Sequence, residues 1–385
     1  MSRIDELIKE KCPNGVEYKR LRELVKIVKG AQLNKEKLLE NGAYPVINGG
    51  ITPSGYWNEY NHNENSITIS QGGASAGYVN FINTKFWAGA HCYIVEKCSE
   101  GNNYIYIYHF LKSKEKDLQN SQIGAGIPSV SLKLINSLLV PVPPIEVQEE
   151  IVRILDKFSE LENELENELE ARKKQYEFWR QKLFPHTNFL KISDICKKIT
   201  SGGTPDTSNE EYFKGTIPWL RTQEVNWNVI MRTELKITKE AISNSSANII
   251  PKNCVIVAMY GATVGKVAIN GIELSTNQAC CNLEIDETIA NYKYVFYWLT
   301  YQYKYIKSLG RGSQTNINAS IVKKLQLPVP TLEEQERIVN ILDKFDKLVN
   351  NISEGIPAEI EARRKQYEYY RNELLNFKEF SNEEY

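Results

Sequence analysis

Between residues 145 and 184 the apolar side chains fall at steps of three and four. They are Val147, Ile151, Ile154, Phe158, Leu161, Leu165 and Leu169, then, past a polar gap, Tyr176, Trp179 and Leu183. That spacing draws one apolar stripe along a helix. No Gly or Pro interrupts the stretch, so the pattern predicts a single helix of roughly 60 Å at about 1.5 Å per residue. A helix that long needs a partner along its length. The stripe returns at Ile338, Ile341, Phe345, Leu348 and Ile352, then at Ile360, Tyr367, Tyr370 and Leu374. Here Gly355 and Pro357 fall inside the pattern. An interior proline costs a helix about 3 kcal/mol, so a kink or break is expected near 353–358, with Pro357 opening the second piece.

The two stripes are copies of one segment. "ILDKF" occurs at 154–158 and 341–345, and "ARKKQYEFWR" at 171–180 answers "ARRKQYEYYR" at 362–371. Each copy opens on a proline-rich boundary, "PVPP" at 141–144 and "PVPT" at 328–331. The first pair of phrases is offset by 187 residues and the second by 191, so the later copy is four residues longer. At the matching place the first copy carries a tandem unit, "ELENELENELEA" (160–171). Four residues overshoot one helical turn by only about 40°, so such units add length without destroying the stripe. The run reads either as a solvated helix face or as a length-setting spacer.

The segments between the copies look like mixed α/β domains. Strand-like runs include "SITIS" (66–70), "CYIVE" (92–96) and "CVIVAM" (254–259). Glycine-rich turns follow two of them, and Gly73-Ala-Ser-x-Gly77 aligns with Gly261-Ala-Thr-x-Gly265. A fainter echo links "GAGIPSVSLKLI" to "GRGSQTNINASIV". The expected organisation is α+β: an N-terminal domain over 1–140, a central helix over 141–187, a second, diverged copy of the domain over 188–327 and a C-terminal helix over 328–385.

The net charge of −1 hides an uneven distribution. Segment 16–140 has 13 Lys/Arg against 10 Asp/Glu, and 188–327 has 16 against 11. The helical segments 141–187 (7 against 11) and 328–385 (8 against 13) are acidic. Two basic domains permit a polyanion partner. The seven cysteines are odd in number and show no C-x-x-C spacing, which suits reduced thiols in a cytoplasmic protein rather than a zinc site or disulfide framework. The N-terminus "MSRIDELIKEKC" lacks the apolar core of a signal peptide, and no apolar run is long enough to span a bilayer.

Chemistry for catalysis is sparse. "GATVGKV" has three residues between its glycines and Val267 after the lysine, whereas a phosphate-binding loop needs four and a Ser or Thr; a tight strand-to-strand turn is the expected use. No "NPPY"-like stretch and no strand followed by G-x-G-x-x-G occurs, and the four histidines lack metal-ligand spacing. Asp206, Glu234 and Lys236 admit a nuclease-type, metal-holding constellation, which keeps a self-sufficient Mg-dependent endonuclease open as an alternative. A coiled-coil interaction protein without DNA binding is another.

What remains suits contact with nucleic acid. "IPWLRTQEVNW" (217–227) carries Arg221, Thr222 and Gln223, and "GRGSQTNIN" (310–318) carries Arg311, Gln314 and Asn316 on a glycine-flanked loop. Arg reads guanine edges and Asn or Gln reads adenine through paired hydrogen bonds. Gly-flanked loops approach phosphates closely. Lys266 in the second glycine turn joins this set, and the first domain offers Asn48, Tyr56, Gln71, Ser75 and Ser129.

With these pieces assembled, the chain resembles the specificity subunit of Type I restriction–modification enzymes. The carrying residues are "PVPPIEVQEEIVRILDKF" with "ARKKQYEFWRQKLF", and "PVPTLEEQERIVNILDKF" with "GIPAEIEARRKQYEYYRNELL"; "YKRLRELVKIVKG" and "FLKISDICKKITSGGTP" look like the family's domain openings. The resemblance covers essentially the whole chain. It implies two target-recognition domains held apart by the two helices, packed as an antiparallel coiled coil with pseudo-twofold symmetry, each domain reading half of a split DNA site. It implies a non-catalytic, DNA-binding chain that binds no cofactor. S-adenosylmethionine would be held by two methyltransferase subunits docked on the helices, and ATP and Mg by restriction-translocase subunits. Ile151, Ile154, Phe158, Leu161, Leu165, Leu169, Tyr176 and Trp179 on one copy, with Ile338, Ile341, Phe345, Leu348, Tyr367 and Tyr370 on the other, are the expected helix-pair and partner interface. The family's base-contacting positions vary between members, so the resemblance transfers no single base contact.

Overall fold

A computed structural model describes residues 3–96, 101–121, 128–186, 188–310, 316–351 and 353–380. The chain folds as two compact units, Met1–Glu166 with Glu359–Tyr385, and Asn167–Ala358. The unit boundaries fall within the helical segments. Each unit therefore holds one mixed α/β domain, one half of the long helix and one piece of the later helical copy.

The long helix runs unbroken over Ile145–Leu183. The later copy is two helices, Leu332–Asn350 and Ile356–Leu374, with Pro357 in the first turn of the second. In the first unit the last helix packs antiparallel to the start of the long one. Phe158 stacks on Tyr370 with ring centroids 5.4 Å apart. Further along, Arg364 reaches Glu162 and Glu166, each at 2.6 Å, so numbering rises on one helix as it falls on the other. In the second unit Tyr176 stacks on Phe345 at 5.9 Å.

The buried positions on these helices differ from the expected stripe. Leu155 and Leu342 are wholly buried, whereas Ile154 and Ile341 beside them are only partly so. Leu348 is 36% exposed while Val349 is 2% exposed. The reason is that each segment serves two surfaces. Val147, Ile151 and Leu155 belong to the core of the first domain, and Ile338, Val339, Leu342 and Val349 to that of the second. Phe158, Leu161 and Leu165 form a half-buried line outside those cores, and Leu169 packs against the core of the second domain. A helix packed on two sides buries a wider arc than one stripe. Trp179 and Tyr370 are 39% and 45% exposed, so they are not sealed between the helices and remain open to a partner.

Each domain is built alike. The first has a four-stranded antiparallel sheet in the spatial order Ile27–Lys29, Cys92–Val95, Ser66–Ser70, Val79–Ile82, and a three-stranded sheet ordered Tyr56–Trp57, Tyr44–Ile47, Trp87–Ala88. The second has a five-stranded sheet, Cys196–Ser201, Cys280–Ile285, Val255–Ala258, Val267–Asn270, Val229–Ile230, and a four-stranded one, Leu235–Ile237, Ile217–Leu220, Leu274–Thr276, Ile249–Ile250. A two-stranded ribbon closes each domain, Glu17–Arg20 with Leu139–Val142 and Phe189–Lys191 with Gln326–Pro328.

The same polar knot ties each domain to its helix. Asn103 caps the helix Tyr104–Ser113, and Asn291 caps Tyr292–Tyr301, each through its side-chain oxygen. The backbone N–H of each Asn donates to a buried glutamine, Gln148 at 2.9 Å and Gln335 at 2.8 Å. Those glutamines donate onward to the carbonyls of Pro143 and Pro330. Buried Tyr106 and Tyr294 donate to the carbonyls of Pro141 and Pro328. A proline in the ribbon has no N–H to donate, yet its carbonyl still accepts. About two turns along the long helix from Gln148, Asp156 meets His109 at 2.9 Å, whose other ring nitrogen meets the Tyr367 hydroxyl at 2.9 Å. The equivalent Asp343 accepts from Tyr297 and Lys293, both at 2.6 Å. Burial pushes the Tyr367 phenol up to about 12. Burial and the Asp343 carboxylate raise Tyr297.

Candidate nucleic-acid interface

Five loops meet at one end of each domain, and the backbone bonds that join them correspond. In the first domain Gly30 N–H donates to Cys92 O, Ala31 to Ala88, Gly89 to Ile47, Gln71 to His91, and Val130 to Gln71. In the second, Gly202 donates to Cys280, Gly203 to Thr276, Asn277 to Leu220, Met259 to Ala279, and Ile317 to Met259. The glycine turns lie at the centre of both sets. Gly73 and Gly261 have φ of +87° and +79°, Gly77 and Gly265 of +89° and +80°. Glycine adopts this left-handed region without strain. A Cβ added at Gly73 or Gly261 would meet nothing within 4 Å, so at both turns the backbone itself faces open space.

Most of the candidate residues come together here. Asn48, Gln71, Ser75 and Ser129 gather in the first domain: the Asn48 side-chain oxygen accepts from His91 N at 3.1 Å, and Ser129 bridges Gly72. Tyr56 does not join them. It sits on an outer strand opposite Pro45, its backbone bonded to Leu39. In the second domain Arg221, Thr222, Gln223, Lys266 and Asn316 gather, because Thr263 of the glycine turn donates to Thr222 O at 2.8 Å and Ile317, next to Asn316, bonds Met259. Arg311 and Gln314 lie outside the described residues.

The charged groups of the second face are held in place. Lys266 Nζ donates to Asn226 Oδ1 at 2.7 Å and stands 4.5 Å from the centre of the Trp227 ring. Trp227 has φ of +52° and packs edge-on against Tyr303 at 5.1 Å. A bulky residue in that backbone region is a local strain of the kind that clusters at functional sites. Arg221 pairs with Glu234. Asn226 is one of the polar residues that the 217–227 stretch offers by sequence, whereas His91 and Glu224 are not among the residues which that reading selects. His91 carried a legible signal, since it lies just before the "CYIVE" strand.

The nuclease constellation does not assemble. Asp206 accepts from Ser208 N and Oγ at 2.9 and 2.7 Å, and that bonding lowers its pKa. Glu234 is taken by Arg221, and Lys236 lies on a strand opposite Pro218. Among the described residues no group of three or more His, Cys, Asp and Glu is placed to hold a metal ion. Burial pushes the thiols of Cys92, Cys196 and Cys281 up to about 12, which keeps them protonated and inert near neutral pH. No described helix is long and apolar enough to cross a membrane.

A family model described as the Type I restriction modification DNA specificity domain matches residues 13–171 and again 187–362. The chain belongs to this family. It is a Type I specificity subunit with two target-recognition domains. It is 32% identical to the EcoR124I/EcoR124II specificity subunit of Escherichia coli, over 74% of each chain. It is 31% identical to a Haemophilus influenzae chain named as a type I restriction enzyme specificity subunit, over 94% of this chain and 96% of that one. Among solved structures, the S subunit from M. genitalium aligns with a TM-score of 0.61 at 18% identity, covering 95% of this chain and 98% of that one. The S subunit from Thermoanaerobacter tengcongensis aligns at 0.51 and 14%, covering 94% and 97%. At those identities the structural likeness speaks for the fold.

Proposed function

We propose that each five-loop face binds one half of a bipartite double-stranded DNA site, and that the helices set the gap and dock two methyltransferase subunits. The chain itself is non-catalytic and cytoplasmic. S-adenosylmethionine belongs to the methyltransferase, and ATP and Mg to the restriction subunits that join the complex. One observation carries this reading: the two faces share their backbone bonds but not their side chains. Gln71, Tyr78 and Ser129 of one correspond to Met259, Lys266 and Asn316 of the other. A conserved frame with exchanged side chains is what two readers of different sequences require. The test is to replace residues 188–327 with the corresponding segment of another family member and map methylation by the assembled complex. One half-site should change while the other half and the gap stay. A change in both halves would contradict the assignment of one half to each domain.

The docking surface has its own test. Phe178 and Trp179 are 53% and 39% exposed, and their rings meet edge-on at 5.6 Å. Tyr369 and Tyr370, at the same place in the other copy, are 61% and 45% exposed and meet at 5.3 Å. Exposed paired aromatics are the side chains that dominate binding energy at interfaces. Replacing Phe178 and Trp179 by alanine should leave one methyltransferase subunit per chain, and replacing Tyr369 and Tyr370 as well should leave none, as counted by native mass spectrometry. Unchanged two-to-one stoichiometry in the fourfold variant would place the docking surface elsewhere.

A further inference from the structure

The strands Tyr44–Ile47 and Ile217–Leu220 are counterparts. Each pairs in parallel with a short strand, Val46 and Ile47 with Trp87 and Ala88, and Trp219 and Leu220 with Ser275 and Thr276. Each carries a proline in the same antiparallel register, Pro45 opposite Tyr56 and Pro218 opposite Lys236. The residue that follows is Asn48 in one domain and Arg221 in the other. Both stand where the opposite loop closes on the strand end, through Gly89 N to Ile47 O at 2.8 Å and Asn277 N to Leu220 O at 2.9 Å.

The surroundings of Arg221 form a built mount. The Glu224 carboxylate accepts from Arg221 N at 3.1 Å with one oxygen and from Glu234 N at 2.9 Å with the other. It thereby joins the loop of Arg221 to the loop of Glu234. The Glu234 carboxylate meets the guanidinium, and the Gln223 amide, oriented with its oxygen inward, accepts from it at 2.8 and 3.2 Å. The Glu234 loop follows the edge strand Val229–Ile230, the fifth strand of a sheet that has four in the first domain.

We propose that positions 48 and 221 are the matched base-reading position of the two domains, that Arg221 reads a guanine in the half-site of the second domain, and that Glu234 and Gln223 are its positioning residues. This rests on reading the chain as a DNA specificity subunit. Guanine offers O6 and N7 to two N–H donors, which the rigid guanidinium fork meets in a fixed geometry and a flexible lysine ammonium meets less selectively. The amide of Asn48 matches the adenine edge instead, so one position serves two different bases. Glu234 is 63% exposed at its side chain. An ion pair so exposed is weak, so a guanine edge displaces it readily, while in its absence the pair limits the rotamers from which Arg221 starts.

The experiment maps methylated bases for the wild-type chain and for Arg221→Ala, Arg221→Lys, Glu234→Gln and Asn48→Ala, each assembled with its methyltransferase subunit. Arg221→Ala should lose roughly tenfold or more of the discrimination at one guanine in one half-site, and Arg221→Lys a smaller part of it, leaving the other half and the gap unchanged. Glu234→Gln should relax the same position to a smaller degree. Asn48→Ala should act on the other half-site. Arg221→Lys keeps the charge and guards against a folding defect in the alanine variant. A wild-type split motif that both Arg221 variants leave unchanged, or a relaxed position that is not guanine, overturns the assignment alone. A wild-type motif that is not split overturns the underlying reading and this assignment with it.

Discussion

Inserting one Glu-Leu-Glu-Asn unit after Asn167 is expected to abolish methylation of the wild-type site and move it to a site with the same halves and a longer gap. Four residues add about 6 Å of helix, against about 3.4 Å per base pair, so the gap should grow by one or two base pairs. The insertion point is chosen from the structure. It falls at the boundary between the compact units, Glu166 and Asn167, beyond the Phe158–Tyr370 stack and the Arg364 pairs with Glu162 and Glu166. Those contacts therefore survive. The roughly 40° of extra rotation is the reason to expect weakened activity alongside the new gap. An insertion variant that methylates the original site at the original gap would show that the tandem run is only a solvated face.

Leu155→Ala should be among the most damaging single changes in the first unit. Leu155 is wholly buried, packed with Val147 and Ile151 in the core of that domain. Removing such a leucine side chain costs about 2–5 kcal/mol, and a unit of this size loses about 2–4 °C of melting temperature per kcal/mol. Calorimetry on the assembled complex should show the transition of the first unit lowered and that of the second unmoved, since distant sites behave independently. Leu342→Ala should do the reverse. Ile154→Ala, next in sequence but only half-buried, should cost clearly less. Equal losses for Ile154→Ala and Leu155→Ala would mean that the helix faces its domain through the other side.

Much of this architecture is written in the sequence because it is repeated. The "ILDKF" and "QYE" copies mark the helices, Pro357 and Gly355 mark the break, and the Gly73 and Gly261 turns align by eye. What stayed hidden has two physical causes. A three-and-four spacing shows that a helix is apolar on one side. It does not separate the arc that meets the domain core from the arc that meets another helix, and so Leu155 and Leu342 were passed over for Ile154 and Ile341. The equivalence of Asn48 and Arg221 was invisible for a different reason. Those two are 173 residues apart and Gly73 and Gly261 are 188 apart, because the second domain inserts chain between the two places, including the edge strand Val229–Ile230. Only strand register restores the match. Glu234 shows the same limit in reverse: by spacing it passed for a metal ligand beside Asp206, and in three dimensions it holds an arginine.

The measurement that tests the central claim most directly is a genome-wide map of methylated bases in cells that co-express this chain with the methyltransferase subunit from its own operon. Two short defined halves separated by one fixed gap are the expected result. A contiguous motif, or no methylation despite a stable complex, would contradict the claim that the two loop faces read a divided site.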